Sequence, residues 1–153
     1  MNIYEFHIRP STLAYYEKAE ELIPDLFFDK LKKQPDELKK REKLIAKNPK
    51  LAFKYAMEVL RSPFPAGEDA IATDLESAMY YAIFVLEGPF PTGEKLIATN
   101  VPAAVTYARD ALKRPFPKGE AAIAGDEKYS KMYAKEVLKK DFYYNGKLVA
   151  KTK

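Results

Sequence analysis

Cysteine is missing altogether, and histidine occurs once, as His7, in 153 residues. The first absence removes disulfides, thiolate zinc sites and cysteine nucleophiles together, and it fits a reducing compartment. The second leaves a lone imidazole with no thiol to partner, so a catalytic role for His7 is not expected. No apolar run is long enough to cross a bilayer. The opening MNIYEFHIRPSTLAYYEK lacks the apolar core of a secretory leader, so a cytoplasmic chain without a membrane span is expected. There is no Walker-type phosphate loop, no HExxH pair and no Asp-rich calcium loop. Neither cofactor nor metal is expected, and the chain reads as non-enzymatic. Charge of one sign is also scarce: 26 Lys and Arg stand against 22 Asp and Glu, a net charge of +4. Apolar residues make up 47% and aromatics 13%, which is enough for a substantial core.

What is present is repetition. SPFPAGEDAIATD begins at Ser62, GPFPTGEKLIATN at Gly88, and RPFPKGEAAIAGD at Arg114, 26 residues apart each time. Glu42, Glu68, Glu94 and Glu120 align. So do Ile45, Ile71, Ile97 and Ile123, each followed by alanine, and then Asn48, Asp74, Asn100 and Asp126. Tyr55, Tyr81, Tyr107 and Tyr133 follow, again with alanine next. Leu60, Leu86, Leu112 and Leu138 form another column, and Phe64, Phe90, Phe116 and Phe142 another.

Each unit reads as a short helix followed by a long one. Pro65 and Gly67 suit a type I turn. Glu68 then opens the short helix, where its charge opposes the dipole. The Asn/Asp column caps the long helix, with Pro49 well placed at a first helical position. Ala52, Tyr55, Ala56, Val59 and Leu60 form one α-helical stripe over about three and a half turns. Pro-Phe-Pro stops that helix, and the phenylalanines wedge into the seams between units. A unit this short cannot enclose a core, so neighbours must stack. The predicted fold is all-α, an α-solenoid of four such pairs over residues 41–144. Residues 1–40 form an N-terminal cap segment with a short strand through Tyr4, Phe6 and Ile8 and a helix capped by Ser11. Residues 145–153 read as a truncated fifth repeat, Val149 and Ala150 falling on the Ile-Ala columns, and a frayed basic tail.

The consensus GExxIAxDxxxAxxYAxxVLxxPFP resembles the short helical repeats of many tailed-bacteriophage proteins and some bacterial ones. That resemblance implies the solenoid fold. It also implies a phage-encoded protein acting in a host cytoplasm, as a scaffold or an inhibitor of a host factor.

Functional candidates come from the places where the repeats disagree. The second unit carries Tyr80, Ile83 and Phe84 where other units are mostly polar, so its long helix is apolar all round and should be covered. The N-terminal segment, a second copy of the chain or a foreign protein could each cover it. The alternative function is nucleic-acid binding by the basic last units, through Lys113, Arg114, Lys118, Lys131, Lys135, Lys139 and Lys140. Acidic residues interleave with these, as on an ordinary solvated helix face.

Overall fold

The computed structural model describes residues 33–153. The expected strand through Tyr4, Phe6 and Ile8, the Ser11 cap and His7 lie outside those residues, as does any cover that segment provides for the second unit. The chain divides into two units, Met1–Lys40 and Arg41–Lys153. The described part of the first holds the start of helix α1 (Pro35–Ile45), with Lys40 Nζ 3.1 Å from Glu37 Oε1.

The second unit is an all-α, solenoid-like stack. Its long helices each begin as α-helix and end as π-helix. They are α2 (Pro49–Lys54, continuing as π over Tyr55–Leu60), α4 (Leu75–Tyr80, then Tyr81–Leu86), α6 (Val101–Thr106, then Tyr107–Leu112) and α8 (Glu127–Met132, then Tyr133–Leu138). The short helices between them are α3 (Glu68–Ile71, entered by a 3-10 turn Pro65–Gly67), α5 (Pro91–Ile97) and α7 (Pro117–Ala124). Long helices pack on long helices and short on short, giving two layers. The Asn/Asp column caps as its chemistry dictates. Asn48, Asp74, Asn100 and Asp126 accept from the backbone N–H three residues on, at 2.9 to 3.0 Å.

Two expectations about the unit need correction. The long helix is not α throughout: its second half winds as π in all four units, so the α-period stripe drifts off the core. Val59, Leu60, Val85 and Leu86 are only half-buried. Nor do the prolines end it. Arg61, Glu87, Lys113 and Lys139 adopt left-handed backbone with φ of 51°, 48°, 53° and 56°. The N–H of each corner residue and of the residue after it turn back to one alanine carbonyl, on Ala56, Ala82, Ala108 or Ala134. Lys139 makes this corner although Asp141 stands where the other units have proline. The prolines start the next helix instead. The turn closed by Gly67 N–H on the Phe64 carbonyl (2.9 Å) runs straight into helix, and α5 and α7 begin at Pro91 and Pro117. The glycines hold the turn position expected of them, Gly67 closing the turn that Pro65 opens, and they have a second role. A Cβ on Gly93 would lie 2.5 Å from Phe90 Cδ1 and 3.2 Å from Ala78 Cβ, so the missing side chain makes room for the wedge ring.

The wedges and tyrosines form one continuous spine. The Tyr55 ring meets Phe64 edge-on with centroids 4.9 Å apart, and the Phe64 N–H donates to Tyr81 Oη at 2.8 Å. Tyr81 meets Phe90 at 5.1 Å, whose N–H donates to Tyr107 Oη at 2.8 Å. Tyr107 meets Phe116 at 5.0 Å, whose N–H donates to Tyr133 Oη at 2.8 Å. Tyr133 meets Phe142 at 5.1 Å. Each hydroxyl in turn donates to the glutamate thirteen residues earlier: Tyr55 to Glu42, Tyr81 to Glu68, Tyr107 to Glu94 and Tyr133 to Glu120, at 2.6 to 3.0 Å. The glutamate column thus holds tyrosine hydroxyls, beyond its expected place at a helix start. Each fully buried ring or aliphatic side chain contributes about 1.5–3 kcal/mol relative to exposure.

The expected truncated fifth repeat and frayed tail are replaced by a β-hairpin. Strand β1 (Phe142–Tyr144) pairs antiparallel with β2 (Lys147–Ala150), Phe142 opposite Ala150, Tyr143 opposite Leu148 and Tyr144 opposite Lys147, with an irregularity after Phe142. Asn145 and Gly146 turn it with φ of 50° and 74°, the left-handed pair a two-residue hairpin needs. Phe142 keeps its wedge position while the following strand takes the place of a short helix. Asp141 ties the far end, accepting from Thr152 N–H at 2.9 Å and Thr152 Oγ1 at 2.8 Å.

Candidate interaction surface

The long helices turn their tyrosine-alanine stripe inward and leave three outer columns free to vary. In α4 and its π extension these columns hold Tyr80, Ile83 and Phe84. Tyr81 and Ala82 are fully buried, Tyr80 and Ile83 half-buried, and Phe84 is 60% exposed. The covers expected for this helix, the N-terminal segment, a second copy or a foreign protein, all lie outside the described residues. Tyr80 joins two units: its ring centroid lies 5.7 Å from Phe84 and 6.3 Å from Phe53 of α2. On its other side Tyr80 walls a groove of about 410 Å³ between α4 and α6, with Leu75, Met79, Pro102 and Thr106. Exposed Met57 belongs to the column of Ile83 in the preceding unit.

The apolar band stops at the third unit, where an ion network occupies the same columns. Arg109 donates to Asp110 through Nε and Nη2 at 2.7 and 2.8 Å and to Glu136 through Nη1 at 2.9 Å, bridging α6 and α8. The hydrogen bonds to Asp110 and then Glu136 push the Arg109 guanidinium further up, and Arg109 holds Asp110 below the usual carboxylate range.

All seven cationic candidates are exposed. Two are engaged within the array: Lys118 Nζ lies 2.6 Å from Glu94 Oε2, and Lys131 Nζ lies 2.6 Å from Glu127 Oε1. Lys113 with Arg114, and Lys139 with Lys140, occupy the same left-handed corner of the third and fourth units, while Lys135 stands on the outer column of α8. None of these five meets a carboxylate at ion-pair distance among the described residues. The exposed apolar pair on the hairpin, Tyr143 and Leu148, was not singled out in the sequence, although Asn145-Gly146 between FYY and KLVA is a hairpin signal.

The buried phenols are chemically quiet. Burial first, and then the glutamate acceptor, hold Tyr81 and Tyr133 well above the ordinary tyrosine value, with the bonds from Phe64 and Phe116 working the other way. Among the described residues no three His, Asp or Glu gather as a metal site, and no helix is long and apolar enough to cross a membrane. Comparison with known proteins finds no matching family model, no matching curated protein and no matching solved structure.

Proposed function

We propose that this protein works without chemistry of its own, as a helical-repeat scaffold or inhibitor that captures another protein on the outer face of α4. The observation that carries the reading is Phe84, 60% exposed beside Tyr80, which itself walls an open groove. Aromatic side chains flanking a pocket are the residue type that dominates binding energy at protein interfaces. The face also has a defined edge, because the Arg109 network makes the neighbouring columns polar. The glutamate column supports a non-catalytic role, since each of its members holds a tyrosine hydroxyl. A phage source and a cytoplasmic site of action rest on the repeat resemblance and belong to the same proposal.

The test is affinity capture with the double variant Tyr80→Glu, Phe84→Glu, alongside light scattering to read self-association. Because Phe84 is exposed and Tyr80 only half-buried, helix content and thermal midpoint should change little. Capture should fall at least tenfold, as losing central aromatic contacts does. Capture at the parent level by a folded double variant overturns the proposal. Loss of a homodimer with no foreign protein captured assigns the face to a second copy instead.

A further inference from the structure

The lysine surplus of the chain is concentrated at its C-terminal end. Residues 139–153 contain Lys139, Lys140, Lys147, Lys151 and Lys153 against Asp141 alone. Taking these five lysines and one aspartate from the totals of 26 and 22 leaves residues 1–138 balanced, with 21 of each sign. The net charge of +4 therefore resides in the hairpin and its flanks. All five lysines are exposed, and none has a carboxylate at ion-pair distance among the described residues. Asp141 is held by the N–H and hydroxyl of Thr152, and the charge of Lys151 also favours its ionised form.

The hairpin gives this charge a shaped surface. Phe142 and Ala150, opposite each other, face inward and are buried. Tyr143 faces outward by strand alternation, and the irregularity after Phe142, which sets Val149 as an extra residue on β2, brings Leu148 opposite it on the same side; the two are 58% and 44% exposed. Lys151 follows buried Ala150 and so points the same way as Tyr143, while Lys139 and Lys140 lie just before β1. A flat phenol ring and an aliphatic neighbour thus stand among unpaired ammonium groups. The same corner of the preceding unit adds Lys113 and Arg114, both exposed, and continues the cationic row away from the hairpin.

We infer that the outer face of this hairpin binds single-stranded nucleic acid, with Tyr143 stacking on a base and Lys139, Lys140 and Lys151, continued by Lys113 and Arg114, contacting phosphates. Charge complementarity calls for a polyanion, and the exposed ring offers a base a stacking platform. Aromatic stacking with a basic track is how single strands are held without sequence preference. An acidic protein surface or an anionic bilayer also satisfies the lysines and accepts an exposed tyrosine, so both stand as arms of the test. The site is separate from the α4 face, so either can fail without the other.

The experiment is fluorescence anisotropy of labelled oligothymidylate and oligouridylate of about twenty nucleotides, longer than one such site covers, with the full chain. Binding should weaken steeply with salt, with a log–log slope of roughly −3 if four to five phosphates are neutralised. Lys140→Ser with Lys151→Ser should flatten that slope by roughly 1. Tyr143→Leu keeps apolar bulk and removes the ring; it should weaken binding at least about fivefold. Tyr143→Phe keeps the ring and should bind as the parent. Thermal midpoints of the variants check that the hairpin stays folded, and Tyr80→Glu, Phe84→Glu should leave oligonucleotide binding unchanged. Absence of binding at low salt overturns the inference. So does equal binding by Tyr143→Leu and the parent, or equal affinity for polyglutamate or phosphatidylserine vesicles, which would mark a general anion patch.

Discussion

A phenol hydroxyl sealed in a seam needs both a donor and an acceptor, and Tyr107 has both. It receives the Phe90 N–H at 2.8 Å and donates to Glu94 at 3.0 Å, while Lys118 takes the other Glu94 oxygen at 2.6 Å. Tyr107→Phe removes one atom and leaves a buried backbone N–H unpaired, which costs about 1–3 kcal/mol. Urea denaturation should show that loss, and a change below about 0.5 kcal/mol would mean that water replaces the hydroxyl. The same geometry predicts an alkaline limit. Near pH 8 the phenols are neutral whether the chain is folded or not. Above about pH 10 unfolded tyrosines ionise, while the buried ones, raised by burial, keep their protons. Unfolding then releases protons, so stability falls as pH rises, by up to about 1.4 kcal/mol per pH unit for each buried phenol. Phenolate absorbance should rise together with loss of helix rather than ahead of it. The constant thirteen-residue gap from glutamate to tyrosine was available in the sequence. Its meaning was hidden because a glutamate at a helix start already has an electrostatic explanation.

Helix ends show where element-level reading works and where it fails. An Asx side chain ahead of an apolar stripe has a single economical use, so the caps at Asn48, Asp74, Asn100 and Asp126 were legible. The π winding was not, because α and π helices share the stripe up to the tyrosine and diverge only after it. Termination was credited to proline because Pro-Phe-Pro is conspicuous. The fourth unit, with Asp141 in place of proline, separates the two causes: the left-handed corner ends the helix unaided. Lys113→Gly should therefore stabilise by up to about 1 kcal/mol and Lys113→Val should destabilise by about 1–2 kcal/mol, through the cost of left-handed backbone to a β-carbon. Equal thermal midpoints for the two would remove that account. The hairpin was missed for a related reason. Val149 and Ala150 fall on the Ile-Ala columns and drew the reading into another repeat, whereas Asn145-Gly146 carried the stronger local instruction. Of the candidate surfaces, Tyr80, Ile83 and Phe84 were legible as a departure from their own columns. Tyr143 and Leu148 have no columns to depart from.

For the array as a whole, identical seams mean that units are interchangeable. Excising residues 75–100 joins Asp74 to Val101 in register, with an aspartate cap in place of Asn100 before the same helix. The shortened protein should fold cooperatively, with a denaturant slope reduced in proportion to the surface lost. Excising 75–94, six residues fewer, puts a short helix where a long one belongs and should abolish cooperative unfolding. If both deletions unfold alike, the stack is not built from equivalent neighbours.

The spine from Tyr55 to Phe142 alternates ring contact and hydrogen bond without a gap, so tension applied along the array passes through every link in series. Loaded from the hairpin side, the chain should yield in discrete steps, one phenylalanine leaving its slot at a time, each step lengthening the molecule by a single unit. Such an object behaves like a zip fastener under a steady pull, and its resistance to extension is set by its weakest tooth rather than by the sum of them all.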